Sequence, residues 1–249
     1  MTEKTPTTES IPDASRWLDA LSSADAMAVM ADDQAAAVAA VKDALAAITE
    51  AALAAYECLE RSAEGRLFYA GAGTSIRIGV QDGVELTPTF DWPEERTGFL
   101  IAGGDKALTR SIENAEDDGA AAFKAVQEAE LGPGDVLIGI AASGATPYTC
   151  AAITSAGERG ALTIGIANNR DAPLTALSDH GITLLTGAEA VAGSTRMKAG
   201  TAQKICLNLM STLIMVRMGK VRNGMMAAMR PTNAKLRERQ KRIDAALKS

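Results

Sequence analysis

A single histidine, His180, stands in a chain of 249 residues, and that scarcity removes two chemistries at once. Nucleophilic triads built on Ser or Cys and metal sites rich in His both need imidazole, and His180 merely precedes an expected strand. Cysteine is nearly as scarce: Cys58, Cys150 and Cys206 cannot all pair, and each lies in an apolar helical context that suits a buried reduced thiol. Aromatic residues make up only 4% of the chain, so Ala, Leu, Ile, Val and ten Met must fill the core of a sequence that is 47% hydrophobic. No apolar run reaches the roughly 18 residues of a membrane span, and no charged and then apolar leader opens the chain. The richest stretch, 205–216, is interrupted by Asn208, Ser211 and Thr212. A net charge of −6 argues against a general nucleic-acid surface. The expectation is a cytoplasmic globular protein without a metal site, whose partners are small molecules or a second copy of itself.

What is present begins with Gly71-Ala72-Gly73-Thr74-Ser75-Ile76-Arg77-Ile78-Gly79, directly after the apolar run 66–70. A strand, a glycine turn with two hydroxyls and a helix form an anion-binding corner: the glycines admit a ligand close to the backbone, and the helix start adds partial positive charge. A dinucleotide fingerprint needs glycine at the sixth position of G-x-G-x-x-G, where this chain has Ile76, and no acidic ribose ligand ends the next strand. No Gly-Lys-Ser/Thr follows, which excludes a P-loop. A small phosphorylated molecule remains as the guest. A second corner, Ser143-Gly144-Ala145-Thr146-Pro147, follows the apolar run 136–142, and a third polar segment, Gly193-Ser194-Thr195-Arg196-Met197-Lys198, opens a long apolar helix. Gly73, Thr74, Ser75, Ser143, Gly144, Thr146, Ser194, Thr195 and Lys198 are therefore the candidate phosphate and sugar contacts. Ser and Thr before an apolar run are often no more than helix caps, but three such loops with Lys and Arg nearby favour a binding role.

Along the chain, residues 1 to about 13 are rich in Thr, Glu and Pro and read as a loose arm, followed by helical pattern over 15–30 and 33–62. From Arg66 onward strands near 66–71, 98–103, 135–142, 161–167 and 181–186 alternate with helices near 75–84, 105–129, 146–159 and 195–218. That alternation gives an α/β fold with a parallel sheet covered on both faces. The expected division is 1–62 for the arm and N-terminal helices, 63–219 for the sugar-phosphate-binding domain, and 220–249 for a charged C-terminal helix over 232–247 packing on that domain. Two carboxylates stand out by position. Glu85 ends the helix that starts at the first corner, and Glu116 lies in the acidic run after the second strand, so the pair is a candidate for acid/base work on a sugar phosphate.

Several collinear blocks resemble the N-acetylmuramic acid 6-phosphate etherases of the sugar isomerase (SIS) domain family. The pattern G-A-G-T-S-x-R-x-G-x-x-D-x-x-E-x-x-P-T-F is matched by Gly71 through Phe90, and the likeness continues through Glu113-Asn114-Ala115-Glu116-Asp117, Ser143-Gly144-x-Thr146-Pro147-Tyr148, Gly193 through Lys204 and Thr232 through Leu236, with Thr8-Glu9 in the arm. The resemblance implies a five-stranded, doubly wound, flavodoxin-like parallel sheet, a homodimer with active sites near the subunit interface, no metal and no organic cofactor. It also implies cleavage of the lactyl ether of a phosphorylated amino sugar by elimination and hydration, with Glu85 matching the family's acid and Glu116 its base.

The chain departs from the family pattern at Ile76 (usually glycine), at Gly83, Val84 and Leu86 (usually Ala, Ser and Cys around the glutamate) and at Ala145 (usually arginine), and each departure is expected to reshape the pocket. A family aspartate is absent near Met225–Met229, and the sequence ends at Ser249, ahead of the helical C-terminal domain of longer members. Two other functions suit the same loops. A sugar-phosphate sensor like the glucokinase regulatory proteins has no need of the two glutamates, and an aldose–ketose isomerase needs a base but no acid over a leaving group at C3.

Overall fold

The computed structural model describes residues 6–13 and 17–227, and its centre is a five-stranded parallel sheet. The strands β1 (Leu67–Gly71), β2 (Thr97–Ile101), β3 (Val136–Ala141), β4 (Leu162–Ala167) and β5 (His180–Thr183) lie in the order β2-β1-β3-β4-β5. β1 and β3 are continuous apolar runs, and β4 is one but for Thr163, because both of their faces are covered. Their alternation sorts side chains to two cores. Leu67, Tyr69, Ile138, Ile140, Ile164 and Ile166 pack against α1 (Ser23–Asp43), α2 (Leu45–Arg61), α3 (Gly73–Val84) and α8 (Lys198–Arg217). Phe68, Ala70, Leu100 and Leu137 pack on the other face, under α5 (Gly119–Glu128), α6 (Pro147–Glu158) and the short α7 (Pro173–Ala176).

Strand order reverses between β1 and β3, so their outgoing loops diverge to opposite faces and leave a crevice at the carboxyl edge. Register brings the two loops level, since Gly71 pairs with both Ile101 and Ile140. All five strands fall where the sequence places them, but the helices need correction. The break in the N-terminal helical pair lies at Ala44 instead of near 31–32, and the first helix starts at Ser23, where the Ser22 hydroxyl accepts from the Asp25 N–H.

The expected helix over 105–129 is replaced by two short turns, Asp105–Leu108 and Ala115–Asp117, before α5. Gly103, Gly104 and Asn114 adopt positive φ, and Asp118 caps α5 by accepting from the Ala121 N–H, so the chain cannot run as one helix there. Asn223 and Gly224, both at positive φ, turn a small hairpin between β6 (Val221–Arg222) and β7 (Met225–Met226), as an Asn-Gly pair favours. The expected C-terminal helix over 232–247 lies outside the described residues. Between Leu86 and Phe90 the helix α4 leads to β2. No helix among the described residues is long and apolar enough to cross a membrane.

Candidate active site

A cavity of about 440 Å³ occupies the crevice, where Thr74 and Ser75 face Ser143 and Thr146 across the ends of β1 and β3, with Glu116 and Thr195 at its wall. Gly73, at φ +53°, turns the chain out of β1 and opens α3, and the space where its Cβ would stand is empty. Gly144, at φ +70°, is needed for a second reason: a Cβ there would lie 2.4 Å from the Ala172 methyl. Neither α3 nor α6 has a side-chain cap, so both helix starts keep their N–H groups for a ligand. Ser75 is 8% exposed, and no described protein group occupies its hydroxyl. Ser143 Oγ accepts from the Ala145 N–H at 3.2 Å, which fixes the oxygen and leaves its proton to donate. Burial, with the Asp118 charge adding to it, pushes the Tyr148 phenol just behind this loop up to about 12, so it remains neutral.

No Lys or Arg lines the cavity among the described residues. The sequence reading brings Lys198 to the phosphate, but the structure puts it elsewhere: it is buried, and its Nζ donates to Asp33 Oδ1 at 2.8 Å. Glu189, fully buried, accepts from the N–H groups of Lys198 and Ala199 at 3.2 and 2.9 Å and so caps α8. Burial raises the Glu189 carboxyl above its ordinary range, although the two N–H bonds and the Lys198 charge pull it down. These contacts fix the polar segment before α8 as structure and leave Thr195, but not Ser194, on the cavity wall.

Glu116 also lines a side chamber of about 210 Å³ with Arg77, Arg110, Ser111 and Asn114. Arg77 donates from Nη2 to the carbonyls of Ala107 and Arg110 at 2.8 and 3.2 Å, which ties the loop after β2 to α3. Glu85 stands apart. It is the exposed C-cap of α3 and does not line the cavity, because a 12-residue helix places its two ends about 18 Å from each other. That end of α3 is anchored by Asp82, which accepts from Tyr69 Oη, Asn208 Nδ2 and Ser211 Oγ at 2.8, 2.6 and 3.0 Å. Asn208 and Ser211 enter the sequence analysis only as interruptions of an apolar run and are not paired there with Asp82, since polar residues at helical spacing carry no signal of what they face.

The departures sort by position. Ile76 is fully buried in the core with Ile140, Leu86 is buried likewise, and Gly83 lies under the Phe99 and Tyr69 rings, where a Cβ would meet Phe99 at 2.7 Å. These three do not line the cavity, and Ala145 is the departure that does. The N-terminal arm also differs from expectation: Thr8 is fully buried, and Glu9 reaches the cavity. Among the described residues no group of three or more His, Cys, Asp or Glu is placed to hold a metal ion. A larger hollow of about 670 Å³ lies at the opposite edge, beside Pro133, Gly134, Ala161 and Leu162, away from every strand carboxyl end.

Residues 50–157 match the model of the glucokinase regulatory protein N-terminal SIS domain, and residues 114–213 match the SIS domain. The chain is 53% identical over 226 residues to the N-acetylmuramic acid 6-phosphate etherase of Deinococcus radiodurans, covering 91% of this chain and 73% of that protein. Against the enzyme of the same name from Pasteurella multocida it is 44% identical over 236 residues, 95% of this chain and 78% of the other. Among solved structures, a phosphoheptose isomerase from Francisella tularensis superposes with a TM-score of 0.58 at 19% identity, over 78% of this chain and 98% of that one. At that identity the likeness is one of fold.

Proposed function

Since the chain belongs to the N-acetylmuramic acid 6-phosphate etherase family, we propose that it cleaves the D-lactyl ether of N-acetylmuramic acid 6-phosphate, giving N-acetylglucosamine 6-phosphate and D-lactate. The observation that carries this reading is the pairing of two hydroxyl corners with Glu116 in one cavity at the reversal of strand order. In it the 6-phosphate takes the N–H groups and hydroxyls of Thr74, Ser75, Ser143 and Thr146. The open-chain aldehyde acidifies the proton on C2, and Glu116 removes that proton. Electrons left on C2 form the C2–C3 double bond as the C3–O bond breaks, and Glu85 protonates the departing lactyl oxygen. Water then adds its hydroxyl to C3 and its proton to C2, which balances the reaction as hydrolysis of the ether.

Glu85 cannot serve the cavity of its own chain from the far end of α3, so in this reading a second copy supplies it and the working unit is a dimer. Incubation with N-acetylmuramic acid 6-phosphate and an assay for lactate is the direct test. Stoichiometric lactate and N-acetylglucosamine 6-phosphate are expected. Tight binding of the substrate without release of lactate would instead favour a sugar-phosphate sensor.

A further inference from the structure

We propose that Glu9 is a substrate-contacting residue, carried to the cavity by an N-terminal arm that Asn169 holds in place; the inference rests on the sugar-phosphate reading of the same cavity. Asn169 follows β4, and its side chain is spent entirely on the arm and the neighbouring loop. Its Oδ1 accepts from Thr7 Oγ1 at 2.9 Å and from the Thr8 N–H at 3.3 Å, while its Nδ2 donates to Thr8 Oγ1 at 2.9 Å and to the Ala142 carbonyl at 3.0 Å. Ala142 is the residue before Ser143, so one buried amide joins the arm to the second phosphate corner. From the other side the Gly193 N–H donates to the Thr8 carbonyl at 3.3 Å. A segment rich in Thr, Glu and Pro is thus clamped between the loops that follow β3, β4 and β5.

The clamp leaves Glu9 pointing at the cavity. Its carboxylate lies over Gly193, where a Cβ would stand 3.0 Å from Glu9 Oε2, and Gly193 has φ +73°, so this close approach depends on glycine. No described residue donates to that carboxylate or pairs with it. The two corners present uncapped N–H groups and hydroxyls suited to a phosphate, and the carboxylates on the cavity wall are Glu9, Glu116 and Asp117. Glu116 is assigned to the proton on C2, so Glu9 supplies an acceptor for the hydroxyl and amide protons of an amino sugar, and a carboxylate–hydroxyl bond is among the stronger hydrogen bonds. Its negative charge also disfavours the phosphate at that wall, so the two walls together set the direction in which a sugar phosphate enters.

The test uses calorimetric binding of two probes to the full chain, N-acetylglucosamine 6-phosphate and inorganic phosphate. Glu9→Ala should weaken the sugar phosphate about 10-fold, equivalent to about 1.4 kcal/mol, and leave inorganic phosphate within about 2-fold. Thr8→Val, which removes the Asn169 acceptor but keeps the shape, should reproduce that loss, and the double variant should be no weaker than the worse single one. A thermal melt separates this from unfolding. Equal loss for both probes would make the arm a brace of the phosphate corner, and unchanged affinity for both would remove Glu9 from the site; either result overturns the inference while the wild type still releases lactate. A wild type that binds neither probe would remove the sugar-phosphate reading itself, and this inference with it.

Discussion

The amino end of α3 and its carboxyl end are built to different requirements. At the amino end Ser75 and a set of uncapped N–H groups open on the cavity, and little else is tied to them. At the carboxyl end Asp82 gathers three donors from β1 and α8, and Gly83 lets two rings close over the backbone, yet the next turn presents Glu85 to solvent. The difference shows how a helix can hold a ligand at one end without elaborate support, because backbone geometry already supplies the donors. A side chain that must reach another molecule needs its whole end of the helix fixed by packing.

Turnover breaks the comparison most sharply. Glu116→Gln should abolish lactate release and solvent-deuterium exchange at C2 together, by about 10²–10⁴-fold, the scale of general acid/base catalysis. Glu85→Gln should lose elimination by a similar factor and retain part of the exchange. Mixing the two inactive variants should restore roughly a quarter of wild-type turnover, because half of randomly formed dimers carry one intact pair. If mixing restores nothing while both variants form dimers, Glu85 does not act across subunits.

The roles proposed for the two glutamates rest on the family pattern, and the reason is physical. Glu116 sits in a run of exposed acidic residues that looks like solvated surface, and its position at the cavity follows from a loop held by Arg77, a contact about thirty residues away in sequence. The strands were legible because burial on both faces forces continuous apolar runs such as 136–142. The breaks at Ala44 and before Asp118 were not, because alanine-rich sequence marks helix without marking where it stops. Lys198 misled for a related reason: a lysine at a polar helix start reads as a phosphate ligand unless Asp33, on another helix, is known to face it. The clamped arm was hidden because composition alone reads Thr, Glu and Pro as loose chain.

At the near end, smaller effects should fall on binding alone. Ser75→Ala and Ser143→Ala should each weaken a 6-phosphosugar by about 1–3 kcal/mol. Equal affinity in both variants and the wild type would take the phosphate out of these loops. At the far end Asp82→Ala should strip three donors of their acceptor and lower unfolding stability by about 1–3 kcal/mol with phosphate affinity unchanged, as read by denaturant titration and calorimetry.

The mildest effect concerns Glu189. Burial raises its carboxyl above the ordinary value of 4.5, so the charged form is disfavoured in the folded chain. A group of this kind contributes stability fully below its unfolded value, and that contribution is lost as pH rises through the raised one. Unfolding measured from about pH 4 upward should show this decline in the wild type and a flatter profile in Glu189→Gln. An unchanged slope would show that the Lys198 and Ala199 N–H groups compensate the burial.

A cavity wall without lysine or arginine among the described residues also has a kinetic consequence. Sites that draw anions with cations bind more slowly as salt screens the attraction. The chain carries a net charge of −6, and in the proposed reading the described residues meet the phosphate with neutral donors, so encounter with an anionic sugar is mildly repulsive at a distance. Added salt should therefore leave capture unchanged or quicken it, and the protein should keep its hold on substrate at ionic strengths that release phosphate from an arginine clamp.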